Sequence, residues 1–94
     1  MDIKDLLAEA VKQGASDLHL VSWSPPILRI DGSLVPLDQA PMKPGDISPM
    51  IVSLLTEEQR DRFQRDWELD LSITLKNIGR FRVNIPAGCS FSVQ

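Results

Sequence analysis

The chain has 94 residues, 43% hydrophobic and 24% charged, with a formal net charge of −3 and a sequence pI of about 4.9. That length admits one domain, and the composition is globular rather than disordered or fibrous. The acidic balance argues against nucleic acid as a partner, because binding a phosphate backbone calls for a basic surface. A single cysteine, Cys89, excludes an internal disulfide and makes a reducing compartment the simpler reading. The first five residues, Met1 to Asp5, lack the basic region and long apolar run of a signal peptide. No apolar stretch approaches the roughly 20 residues that a membrane span needs. A cytoplasmic protein without direct membrane insertion is expected.

Ile3, Leu6, Leu7, Ala10 and Val11 fall on one helical stripe, with Asp2 as cap and Gly14 as the stop. Asp17 to Ser22 has no helical period and reads as a strand, with Leu18 and Leu20 on one face and Asp17 and His19 on the other. Pro25-Pro26 leads extended chain into a second strand, Ile27 to Ile30. Asp31-Gly32 supplies a tight hairpin turn. Leu34 to Leu37 returns as an edge strand, since Pro36 cannot donate to a ladder.

Asp38 to Pro44 is a loop. Ile47, Ile51, Leu54 and Leu55 then resume helical spacing after Asp46 or Ser48. Thr56 to Gln59 is a capping box that opens another helix, which carries Phe63 and Trp67 one turn apart. Leu69, Leu71, Ile73 and Leu75 alternate with polar residues, as do Phe81, Val83 and Ile85, around a turn at Asn77-Ile78-Gly79. These runs make a hairpin with one wet face. Phe91 and Val93 mark a last strand after Pro86-Ala87-Gly88. Short antiparallel strands with segregated helices predict an α+β domain, with an antiparallel sheet and helices packed on one face.

The phosphate-loop pattern GxxxxGK[ST] is absent, and the five glycines are isolated turn residues. No nucleotide site, metal site or catalytic residue can be assembled from these residues alone. His19 and Asp17 share a strand face; a structural or interface pair is the simpler reading, because a metal would need further ligands. Ser16-Asp17 either fixes how the first helix meets the sheet or is an ordinary strand start. The mixed charges from Glu57 to Asp70 read as a solvated surface. Arg80 and Arg82 lie one strand step apart, about 7 Å, on the wet face beside Asn84. Together they can hold one phosphate or carboxylate. Pairing of an arginine with Asp70 on the preceding strand is the competing reading.

Gly14-Ala15-Ser16-Asp17-Leu18-His19-Leu20 resembles the GASDLHL signature of the PilT-type twitching-motility ATPases. That family lies within the secretion ATPase superfamily of type II secretion and type IV pili. Pro25-Pro26-Ile27-Leu28-Arg29-Ile30-Asp31-Gly32 resembles their PPxxRxDG hairpin. Leu54-Leu55-Thr56-Glu57-Glu58-Gln59-Arg60 with Phe63 resembles their central helices. Glu68-Leu69-Asp70-Leu71-Ser72 and Gly79-Arg80-Phe81-Arg82-Val83-Asn84 resemble their paired strands. The resemblance covers roughly residues 1 to 85, in the family's order.

The resemblance implies a single PAS-like N-terminal domain over 1–94, with an atypical stretch at 86–94 and no RecA-like ATPase core. It also implies hexamers in which this domain packs on the ATPase domain of the same or a neighbouring subunit. ATP and Mg would then be held outside this chain, and the work would be pilus retraction by inner-membrane machinery at the cytoplasmic face. Arg82, with Arg80 second, is the position expected to approach a nucleotide. Gly14, Ser16, Asp17, His19, Arg29, Asp31 and Gly32 are the signature positions. A free-standing PAS-like ligand sensor, or an adaptor domain pairing through a sheet edge, is the alternative.

Overall fold

The structure, a computed structural model, describes residues 2–66, 68–85 and 89–93. The expected core position Trp67 and the turn at Pro86-Ala87-Gly88 lie outside the described residues.

Helix α1 runs Ile3–Lys12. The Asp2 carboxylate accepts from the backbone N–H groups of Lys4 at 2.9 Å and Asp5 at 3.1 Å, which closes its first turn. Ile3, Leu6, Leu7 and Ala10 are buried, while Val11 sits on the margin of the stripe and is exposed. Gly14 follows at φ +71, the left-handed conformation in which glycine costs nothing and a helix can end.

Strands β1 (Asp17–Leu20), β2 (Ile27–Ile30) and β3 (Ser33–Pro36) form a meander. Asp31 at φ +51 and Gly32 at φ +82 make the β2–β3 turn, both residues having the positive φ of a two-residue hairpin. Helix α2 (Pro44–Val52) starts earlier than the apolar spacing indicates. Pro44 presets the helical φ, and Asp46 accepts from the Lys43 backbone N–H at 3.2 Å. Leu54 and Leu55 therefore fall after its end, although Leu55 is buried. Helix α3 (Glu57–Asp66) opens on the expected box: Thr56 Oγ1 accepts from Gln59 N–H, and Gln59 Oε1 from Thr56 N–H.

Strands β4 (Leu69–Leu75) and β5 (Gly79–Ile85) pair over seven positions, and β6 (Cys89–Val93) completes the chain. The sheet order is β3-β2-β1-β6-β5-β4. The last strand is thus central. It runs antiparallel to β1 on one side and to β5 on the other. β6 thus supplies the strand that joins the two halves.

Register divides the sheet into two faces. Leu28, Leu18, Phe91, Val83 and Leu71 lie opposite one another in a row crossing five strands. Leu28, Leu18 and Phe91 are fully buried, and Val83 nearly so. The buried residues of α1, α2 and α3 join the same core cluster. The other face carries the alternate residues and is mostly polar, with Ile27 and the exposed Leu34 as apolar members at the β2–β3 end. Among the described residues no helix is long and apolar enough to cross a membrane.

Phe91 fills the centre of this row. Phe91→Ala is expected to lower unfolding free energy by about 3–5 kcal/mol, a large share of the total for a domain this small. Urea denaturation measures it. A loss under roughly 1 kcal/mol would show that the row does not carry the core.

Candidate functional site: the open polar face of the sheet

Two rows of side chains cross the open face. One is Arg29, Asp17, Ser92, Arg82 and Ser72. The next is Ile27, His19, Ser90, Asn84 and Asp70. Each residue is there because strand alternation sends its neighbours into the core.

Asp17 is built into the sheet. Ser16 Oγ donates to one carboxylate oxygen at 2.8 Å and Ser92 Oγ to the other at 2.9 Å. A nitrogen of Arg29 stands 4.0 Å away. Ser16 N–H also donates to Arg29 O at 2.8 Å, and Val93 N–H to Ser16 O at 2.9 Å. Ser16-Asp17 therefore ties β1 to both its neighbouring strands, and none of these bonds runs to α1. Desolvation works against the charged carboxylate, but the Ser16 and Ser92 hydrogen bonds and the Arg29 charge outweigh it. The carboxyl sits below its ordinary value of 3.8.

His19 shares this face with Asp17 but is not among its hydrogen-bond partners. Its Nε2 is buried without a partner. Among the described residues no group of three or more His, Cys, Asp or Glu could hold a metal ion. Gly14, Asp31 and Gly32 serve backbone geometry at the α1 end and the β2–β3 turn. Arg29, through Asp17, belongs to the sheet-joining cluster.

The second cluster is on β4 and β5. Arg82 grips Asp70 with two hydrogen bonds, Nε to Oδ1 at 3.1 Å and Nη2 to Oδ2 at 2.8 Å. The residues directly opposite are Ser72 for Arg82 and Asn84 for Asp70, so the pair runs diagonally between strands. The hydrogen bonds from Arg82 hold the Asp70 carboxyl below its usual range, and Asp70 in turn makes the guanidinium harder to deprotonate. Both side chains remain about half exposed, 55% for Arg82 and 52% for Asp70, so the pair contributes little to stability. Arg80 is exposed opposite Thr74, one step along the same strand face. Asp70 also lines an open groove between α3 and the hairpin, together with Arg62, Arg65, Asp66 and Asn84.

Sequence reasoning placed Arg80, Arg82 and Asp70 on one face and left both partners of Arg82 open; the structure forms the Asp70 pair. It missed Ser92 as an Asp17 ligand. The signal was present in the alternation of Ser90 and Ser92 with Phe91 and Val93.

No protein-family model matches the chain. It is 39% identical over 84 residues to the type IV pilus retraction ATPase PilT of Pseudomonas aeruginosa, which spans 89% of this chain and 24% of that protein. It is 31% identical over 84 residues, 89% of this chain and 22% of the relative, to the type IV pilus ATPase PilU of the same organism. Among solved structures, the pilus retraction motor PilT with bound ADP superposes with a TM-score of 0.82 at 30% identity. That superposition covers 100% of this chain and 29% of the other. The fold and the signature define one class, a domain of the secretion ATPase superfamily. Within it, the chain is a PilT-type domain, and it spans about a quarter of the length of the curated relatives it matches.

Two outcomes follow from the charged and thiol groups. Because the folded Asp17 carboxyl is depressed, its contacts stabilise the protein above its ordinary value of 3.8, and that contribution is lost as pH falls through the folded value. Asp17→Asn should therefore cost about 1 kcal/mol at neutral pH, with the difference from wild type shrinking in acid; urea curves across pH report it. A deficit that stays constant down to acid pH would contradict this. Cys89 is buried, and desolvation pushes its thiol up to about 12. A disulfide reagent at pH 8 should label it only as fast as the protein unfolds, and prompt labelling of the folded chain would contradict that.

Proposed function

We propose that this chain is the non-catalytic N-terminal domain of a type IV pilus retraction ATPase. In this reading it docks on a RecA-like ATPase domain of the same or a neighbouring subunit within a hexamer, and it moves against that domain as nucleotide is bound and hydrolysed. ATP and Mg are held by the partner domain, and Arg82, aided by Arg80, reaches their phosphates. The motor works in the cytoplasm, at the inner-membrane face of the pilus machinery.

The observation that carries this reading is the open sheet face. It presents guanidinium groups outward on a rigid ladder, in a domain 39% identical to a pilus retraction ATPase. An arginine brought to phosphates in this way offsets the charge that develops during phosphoryl transfer. The core side of the sheet is filled by apolar residues, which favours docking over ligand sensing in an internal cavity.

The test uses the domain joined to its ATPase domain, as in the relatives. Arg82→Ala should reduce ATP turnover by about 10³-fold if Arg82 stabilises the transition state as an arginine finger does. Its unfolding midpoint should barely move, because the pair it breaks is exposed. Unchanged turnover would show Arg82 to be merely a sheet-surface residue.

A further inference from the structure

Asp70 and a phosphate compete for the same edge of Arg82. Asp70 occupies Nε and Nη2 together, the fork edge through which a guanidinium grips a phosphate bidentately. The two occupants exclude each other. We infer that Asp70 is a displaceable counter-ion that gates this face: it holds Arg82 extended and neutralised until a phosphate-bearing ligand takes its place. This rests on the reading of Arg82 as a phosphate-reaching residue, and adds the carboxylate that regulates it.

Three features make the exchange feasible. The pair is half exposed on both sides, so displacing it costs little. The surroundings suit a phosphate better than a carboxylate. Ser72 lies opposite Arg82, Thr74 lies opposite Arg80, and Arg80 adds a second guanidinium one step away. A phosphate dianion can collect several of these donors, whereas among the described residues Asp70 takes the two Arg82 bonds. Finally, the released carboxylate has cations within its own groove, Arg62 and Arg65, which it would share with Asp66 and Glu68.

The experiment is a titration of the 94-residue chain with inorganic pyrophosphate and, separately, with ATP. It is followed by the NMR signal of the Arg82 Nε–H and by backbone amides, which also verify the fold of each variant. Wild type should bind weakly, and Asp70→Asn should bind pyrophosphate roughly three- to tenfold tighter, as expected for removing one like charge several ångströms away. Arg82→Ala should lose binding in both backgrounds. Equal tightening for both ligands assigns the site to the phosphate group itself, and tightening with ATP alone assigns it to a nucleotide; either supports the gate. If Asp70→Asn binds no tighter while Arg82→Ala still loses binding, the gate is wrong and the Arg82 reading stands. If Arg82→Ala binds as well as wild type, or nothing binds at millimolar concentrations, both fail.

Discussion

The fold depends on where one short strand goes. β6 lies between β1 and β5 and, among the described residues, joins the three-stranded meander to the β4–β5 hairpin within the sheet. Without it, two small sheets would each present a further unpaired edge, and the row of core residues would be cut at its centre. Phe91 makes that junction apolar on the core side. Ser92 makes it polar on the other by donating to Asp17 across the β1 boundary. A one-residue slip would exchange these roles and place Phe91 in water. The register of β6 therefore sets both the core and the composition of the open face.

That face uses its two acidic groups differently, and burial explains the difference. Asp17 is only 20% exposed and accepts from two serine hydroxyls, Ser16 just before β1 and Ser92 on β6, so it works as part of the sheet. Asp70 is half exposed, and Arg82 is the partner that holds its carboxylate. In the first cluster the charge is committed to structure. In the second the charge is available at low cost, which is the property a recognition surface needs.

Much of this was legible in the chain. The α1 stripe with its Asp2 cap and Gly14 stop, the Asp31-Gly32 turn, the Thr56 box and the β4–β5 alternation are local patterns, and each formed as expected. Strand order was not legible, because pairing β6 with β1 joins residues far apart in sequence and no local period records it. The start of α2 was misplaced for another reason. Pro44 and Asp46 determine its first turn, whereas the apolar spacing begins only at Ile47. The Arg82 pairing fell between these cases. Alternation placed both groups on the wet face, but the diagonal offset that brings Arg82 to Asp70 depends on the hairpin register.

On the proposed function, the open face at β4, β5 and β6 is the surface this domain offers to a nucleotide-bearing partner. Mapping the chain's NMR signals while adding a RecA-like ATPase domain loaded with ATP tests it most directly. Shifts should concentrate at Ser72, Arg80, Arg82 and Ser92 and be larger with ATP than with ADP. Shifts confined to α1, α2 and α3, or identical for the two nucleotides, would contradict it.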